Sequence, residues 1–198
     1  MKKTFRINEI FYSLQGEGHW TGVPMIFIRF SGCNLSCSWC DTNHKEGTDL
    51  TIDQIESIIS QYPCNRLCLT GGEPLLQVTA SFYSYFCKYS IHIETNGTFP
   101  IFSGDKSCWI TVSPKQNWVQ KEGDELKVIW NDQTKEELCE YFAGTHFKYY
   151  YLQPEYSYLH VPVLSPLHES RLKQLLQTIK EDSRWNLSLQ TQKILNIQ

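Results

Sequence analysis

No hydrophobic run in this chain of 198 residues approaches the roughly 18 residues that a membrane-spanning helix needs. Charge of one sign is lacking too. Eighteen Lys and Arg face 21 Asp and Glu, a net charge of −3, which leaves no basic footprint for a nucleic-acid backbone or an anionic membrane surface. There are no repeats, low-complexity tracts or long linkers, so the length and a hydrophobic content of 41% point to one domain with a sizeable core. No apolar stretch follows Met1-Lys2-Lys3, where Thr4, Arg6 and Asn8 stand instead. The expectation is a chain without a secretory leader, kept in a reducing cytoplasm. In that compartment clustered cysteines serve metals or catalysis more often than disulfides.

The cysteines that are present concentrate in one place. Cys33, Cys37 and Cys40 stand in Ser31-Gly32-Cys33-Asn34-Leu35-Ser36-Cys37-Ser38-Trp39-Cys40-Asp41, a Cys-x3-Cys-x2-Cys loop. Three thiolates so close in sequence can converge on one inorganic centre, yet a closed 4Fe-4S cluster or structural zinc site takes a fourth ligand. The missing ligand leaves a coordination position open to chemistry. Two plainer readings stand beside this one: a zinc knuckle completed by a distant histidine such as His44, and disulfide pairing. Cys64, Cys68, Cys87, Cys108 and Cys139 read as small buried hydrophobes.

Short runs rich in branched and aromatic residues predict strands over 25–30, 66–69, 91–94, 109–112, 126–130 and 148–152. Helical spacing predicts a helix over 51–61, where Ile52, Ile55, Ile58 and Ile59 share a face behind a Thr48-Asp49 start signal. Further helices are expected over 75–89, 134–142 and 166–180, the last with Leu167, Leu172, Leu175, Leu176 and Ile179 as its stripe. The alternation implies βα units, hence an α/β fold with a parallel sheet. Five of these strands run at their carboxyl ends into polar motifs: the cysteine loop, Thr70-Gly71-Gly72-Glu73-Pro74, Thr95-Asn96-Gly97, Ser113-Pro114-Lys115 and Gln153-Pro154-Glu155. Any one motif reads as a turn. Together they mark the sheet edge where ligands of parallel α/β proteins bind.

The cysteine loop, with an aromatic residue before its last cysteine and Gly71-Gly72-Glu73-Pro74 one βα unit later, resembles the radical S-adenosylmethionine superfamily. That resemblance implies a partial (β/α) barrel of about six mostly parallel strands with a reduced helix set. It also implies a 4Fe-4S cluster on Cys33, Cys37 and Cys40, with S-adenosylmethionine chelating the fourth iron through its amino and carboxylate groups. One-electron reduction then cleaves the sulfonium to a 5′-deoxyadenosyl radical that abstracts hydrogen from substrate. Carried over by residue, Gly71 and Gly72 let the backbone meet the methionine amino end, and Glu73 accepts from the same ammonium. Trp39, Cys40 and Asp41 border the adenine. Glu94 and Asn96 serve the ribose or methionine, unless they are turn or cap residues, while Ser113, Pro114, Lys115 and Gln153 reach the remaining polar edges.

A narrower similarity runs through Ile10-Phe11-Tyr12-Ser13-Leu14-Gln15-Gly16-Glu17-Gly18, Gly22-Val23-Pro24, Phe27-Ile28-Arg29-Phe30-Ser31-Gly32-Cys33, Cys40-Asp41-Thr42 and Ser188-Leu189-Gln190-Thr191-Gln192-Lys193. These segments are similar to the 7-carboxy-7-deazaguanine synthases of queuosine and 7-deazapurine biosynthesis. The implied substrate is 6-carboxy-5,6,7,8-tetrahydropterin, ring-contracted with loss of ammonia. A single domain, 1–198, would then comprise a substrate-binding segment 1–24, the cluster loop 31–42 and a tail 185–198 closing the site. Leu14, Gln15, Gly16 and Glu17 offer a pterin edge its acceptors and donor, Arg29 forks onto the substrate carboxylate, and Thr70 adds a polar contact. Thr42 is implied as a ligand to Mg2+ bridging to substrate. Gln192 stands where the family commonly has histidine, which removes a titrating group, and Gln198 brings the chain end toward the pterin. The family further implies a homodimer and an external one-electron donor such as a flavodoxin or ferredoxin. The rival readings are a glycyl-radical enzyme activating enzyme, which acts on a protein partner, and a non-enzymatic zinc module.

Overall fold

The computed structural model describes residues 3–40, 42–101, 108–155 and 166–198. Their strands are β1 (Thr4–Leu14), β2 (Pro24–Phe30), β3 (Thr48–Thr51), β4 (Arg66–Gly71), β5 (Ser90–Thr95), β6 (Trp109–Val112), β7 (Glu122–Trp130), β8 (His146–Pro154) and β9 (Trp185–Leu187). They form one sheet in the order β3-β1-β2-β4-β5-β6-β7-β8-β9. All neighbours from β2 to β9 are parallel, and β1 joins β2 and β3 antiparallel. The helices are α1 (Ile52–Ile59), α2 (Ala80–Tyr85), α3 (Lys135–Glu140), α4 (Pro166–Glu181) and α5 (Thr191–Ile194). The expected α/β fold with a mostly parallel sheet is borne out, its open sheet consistent with the expected partial barrel, and the six predicted strands are β2 and β4 to β8, contiguous in the sheet.

Strand alternation sorts residues onto two faces. On one, Ile26, Ile28, Phe30, Leu67, Leu69, Ile91 and Ile93 pack against Ile55 and Ile59 of α1, Phe82 of α2 and Phe86 at its carboxyl end. Further along, Val112, Leu126, Val128 and Leu152 meet Leu138 of α3, Leu175 of α4 and Trp185. Each such side chain, fully buried, contributes about 1.5–3 kcal/mol, so this helix-covered face holds the fold. The opposite face has only a small apolar corner of Phe11, Met25, Phe27 and Cys68. Beyond that corner it carries the polar positions Arg29, Thr70, His92, Glu94, Thr111, Glu125, Lys127 and Gln153, five of them buried, beside the aromatic Trp109, Tyr149 and Tyr151. A sheet that buries polar groups on one face carries its function there.

Several local expectations are corrected. β1 escaped prediction because a register shift between Ile7 and Glu9 breaks its alternation, and β3 and β9 span only 4 and 3 residues. Thr48 and Asp49 belong to β3; α1 is capped instead by Thr51, whose hydroxyl accepts from Gln54 N while the Gln54 side chain accepts from Thr51 N. The expected helix over 75–89 is split into a 3-10 turn, Pro74–Leu76, and the short α2. Thr134 caps α3 rather than lying inside it. Of the five cysteines read as buried hydrophobes, Cys68 and Cys108 are buried, Cys64 is half-buried, and Cys87 and Cys139 are exposed. Among the described residues every cysteine is a free thiol, and no helix is long and apolar enough to cross a membrane.

Candidate active site

The carboxyl ends of β2, β4, β5 and β6 are knitted together by their own loops. Leaving β4, Gly72 N donates to Phe30 O and Glu73 N to Gly32 O, which seats this loop on the start of the cysteine loop. A Cβ on Gly72 would strike Gly32 O and press on the Cβ of Cys33, so no other residue fits. Gly71, at φ +123°, adopts a backbone that L side chains rarely take. The two glycines therefore bring backbone to backbone at the cluster loop.

Glu73 holds this junction from beneath and is fully buried. Its carboxylate accepts from Asn96 N at 2.8 Å, Leu75 N at 3.0 Å and the Thr95 hydroxyl at 2.9 Å. Burial raises its pKa while those three donors work against the rise. Glu73, expected to accept from a ligand ammonium, here binds three donors of the loops after β4 and β5. Asn96, also buried, reaches the other way, its amide donating to Asn34 Oδ1 at 3.0 Å and lying 3.9 Å from Cys33 Sγ. Ser113 N closes the edge onto Thr95 O, and Lys115 Nζ donates to Ser113 O at 3.2 Å.

Cys33 and Cys37 are half-buried and Cys40 is exposed, all on the loop after β2. Burial pushes the Cys33 thiol up, and Glu73, Cys37 and Cys40 push the same way against the Leu35 amide. The Lys115 ammonium feels Cys37 and Cys40 in turn. One cation thus sits among thiols whose anionic form binds metal. Among the described residues no three His, Cys, Asp or Glu side chains stand close enough together to chelate an ion. His44 contributes only its carbonyl to this loop, accepting from Gly32 N. Trp39 is exposed, Thr42 half-buried, and Asp41 lies outside the described residues.

The eight positions expected to bind substrate come together. Leu14, Gln15, Gly16, Glu17, Arg29, Thr70, Gln192 and Gln198 line a single cavity on the polar face, with Phe11, Phe27 and Glu94. Arg29 Nε donates to Glu9 Oε1 at 2.7 Å, and its guanidinium lies 5.6 Å from the Phe11 ring centre. Gln198 Nε2 holds the other Glu9 oxygen at 2.9 Å. Among the described residues Gln192 Oε1 is buried without a hydrogen-bond partner, although its amide donates to Glu17 Oε1 at 3.0 Å. The tail is anchored where Thr191 N and its hydroxyl both donate to Gly16 O, so close that a Cβ on Gly16 would meet Gln192.

Glu17 is the most heavily bonded group of this site. Oε1 accepts from Gln190 and Gln192, both at 3.0 Å, and Oε2 from Gln153 at 3.2 Å and from Lys127. Burial opposes its charge, yet the Lys127 ammonium and these hydrogen bonds pull it down to about 2. Lys127 Nζ also lies 3.4 Å from Glu94 Oε2, while Glu94 Oε1 accepts from Gln15 Nε2 at 2.8 Å. Glu94 and Gln153, expected with the nucleotide set, thus belong to the cavity's network. Sequence reading missed Lys127 and Glu125, inside or beside a strand taken as core, and Glu9, Ser188 and Gln190. The alternation Glu125-Leu126-Lys127-Val128 was the available signal.

Comparison with known proteins adds a second line of argument. The family model of the radical SAM superfamily matches residues 27–181. A 7-carboxy-7-deazaguanine synthase of Bacteroides thetaiotaomicron is 40% identical over 97% of this chain and 98% of that protein. One from Burkholderia multivorans is 33% identical over 98% of this chain and 99% of its own length. The crystal structure of QueE from Escherichia coli superposes with a TM-score of 0.75 at 25% identity, covering 94% of each chain.

Proposed function

This chain belongs to the radical S-adenosylmethionine superfamily and, within it, to the 7-carboxy-7-deazaguanine synthases, and from that premise we propose how its own residues carry the reaction. The enzyme converts 6-carboxy-5,6,7,8-tetrahydropterin to 7-carboxy-7-deazaguanine with loss of ammonia, a step of queuosine biosynthesis. A 4Fe-4S cluster held by Cys33, Cys37 and Cys40, with S-adenosylmethionine on its open iron, supplies the radical chemistry when bound. The donor set fits: three free thiols on one loop, beside a lysine and beneath a glycine-lined backbone junction.

Gly71, Gly72, Asn96, Ser113, Pro114 and Lys115 take the nucleotide's polar edges, with Trp39, Cys40 and Asp41 on the adenine side. The segment 1–24, the loop 31–42 and the tail 185–198 of one domain enclose the pterin between them. Gln15, Glu17, Gln192 and Thr70 read its amide and amino edge, packed between Leu14 and the close backbone of Gly16. Arg29 takes the substrate carboxylate through its terminal nitrogens, which hold no partner among the described residues. Thr42 offers one hard oxygen to Mg2+, the rest of whose shell comes from water and substrate.

The observation that carries this reading is the convergence of all eight positions on one cavity, whose wall holds a buried acceptor, Gln192 Oε1, that has no partner among the described residues. We assign the reductant to an external one-electron donor such as a flavodoxin or ferredoxin, the working unit to a homodimer and the compartment to the cytoplasm. Arg29→Ala tests the proposal. Turnover of the pterin should fall about a hundredfold or more, as expected for losing a charged pair in a cavity, while slow substrate-independent cleavage of S-adenosylmethionine persists. Equal loss of both activities would remove Arg29 from substrate binding.

A further inference from the structure

We propose that Lys127 is a positioning residue for this reaction, fixing the carboxylates of Glu17 and Glu94 as acceptors in the wall of the substrate cavity. The inference rests on the functional reading above and deepens it. Lys127 projects from the middle of β7 onto the polar face and is 2% exposed. Its ammonium pairs with Glu17 Oε2 and lies 3.4 Å from Glu94 Oε2, and both partners line the cavity whereas Lys127 does not. It therefore acts through them rather than on the substrate.

A lone buried ammonium is costly, and the fold would not hide one without carboxylates to satisfy it. The reverse matters more for function. Glu17, Glu94 and Glu125 crowd one small region, and like charges so close suppress each other's ionisation. The one ammonium among them holds the Glu17 carboxylate low, whereas Glu125 is pushed up by burial to about 7. An ionised carboxylate accepts on both oxygens and donates nothing, which is what the adjacent N–H groups of a pterin amide and amine require.

Other charged groups face this region without replacing Lys127. Arg29 on β2 is committed to Glu9 of β1 through Nε, and burial lowers the Lys115 pKa. Cys68 on β4, its thiol pushed well up by burial, stays neutral beneath Gln15. Tyr151 on β8 is likewise shifted upward by burial and by Glu125, so it carries no charge near neutral pH.

The test is the calorimetric Kd of the carboxytetrahydropterin for the anaerobically reconstituted enzyme with S-adenosylmethionine and Mg2+, between about pH 6 and pH 9. Wild type should show no comparable weakening toward low pH, because Lys127 keeps Glu17 charged throughout this range. In Lys127→Gln, Kd near neutral pH should rise at least about tenfold and fall back as pH increases and Glu17 ionises, with kcat at saturation changed far less. A Kd that is unchanged, or weakened equally at every pH, would overturn the inference. Should that variant fail to fold, judged by circular dichroism and iron content, Glu17→Gln with Lys127→Gln replaces the pair by two amides. Binding should then be weak at every pH; tight binding would overturn the assignment. Absence of pterin binding by wild type would bring down the functional reading itself, whereas wild-type binding beside a pH-flat single variant would bring down this inference alone.

Discussion

At the scale of single residues, Glu73 shows how a residue of a recognisable motif can serve the scaffold. Its carboxylate ties Leu75 N, Thr95 and Asn96 N into one knot, and the same Asn96 reaches Asn34 and Cys33 on the cysteine loop. Glu73→Gln replaces one acceptor by a donor against donors already in place. A loss of about 2 kcal/mol in chemical denaturation is expected, with faster loss of iron from the loaded protein. Unchanged stability would show the knot to be dispensable. Gly72→Ala acts on the same junction through sterics, since a Cβ there meets Gly32 O and Cys33. Iron incorporation should fall severalfold while the secondary structure read by circular dichroism is kept.

At the scale of elements, the C-terminal tail closes the cavity through a few polar contacts rather than through packing. Ile194, Leu195 and Ile197 are exposed, whereas Gln190 and Gln192 bond Glu17 and Gln198 bonds Glu9. Removing residues 195–198 should therefore leave thermal stability within about 1 kcal/mol and weaken pterin affinity; unchanged affinity would take the chain end out of the site. The capping box of α1 makes a complementary case, for Thr51→Ala should cost about 1 kcal/mol of stability and leave turnover untouched.

Elements also explain what the sequence disclosed. Strands β2 and β4 to β8 were legible because their apolar runs bury one face against helices, and the loops at their carboxyl ends were legible because glycine, proline and cysteine leave strong marks. The shifted register of β1 hid a strand, and α2 was overextended because the apolar run through Leu75 and Leu76 continues past a 3-10 turn. The substrate positions were found through resemblance, and Lys127 was not found at all. Its strand reads as core on one parity, and the partner of a buried cation lies 110 residues away.

At the scale of the whole molecule, the buried polar face links stability to pH in two opposing ways. His92 is held down to about 4 by burial and by Arg66, so it stays neutral in the fold while the unfolded chain takes a proton below the ordinary 6.5. That contribution is lost as pH falls from 6.5 toward 4. Glu125, raised to about 7 by burial, keeps its proton in the fold while the unfolded chain releases it above 4.5. That contribution is lost as pH rises from 4.5 toward 7. Between these limits the two offset each other. Glu125→Gln should expose the histidine effect, with stability climbing by up to about 3 kcal/mol across that window. A profile parallel to wild type would contradict the burial of a protonated Glu125.

The central claim concerns the three-cysteine loop, and one measurement addresses it most directly: electron paramagnetic resonance of the anaerobically reconstituted, reduced protein, with and without S-adenosylmethionine, alongside iron and sulfide analysis. The account predicts about four irons and four sulfides per chain and a reduced-cluster signal that shifts when S-adenosylmethionine is added, both abolished in Cys37→Ala. A zinc-containing, signal-free protein, or a cluster whose spectrum ignores S-adenosylmethionine, would contradict it.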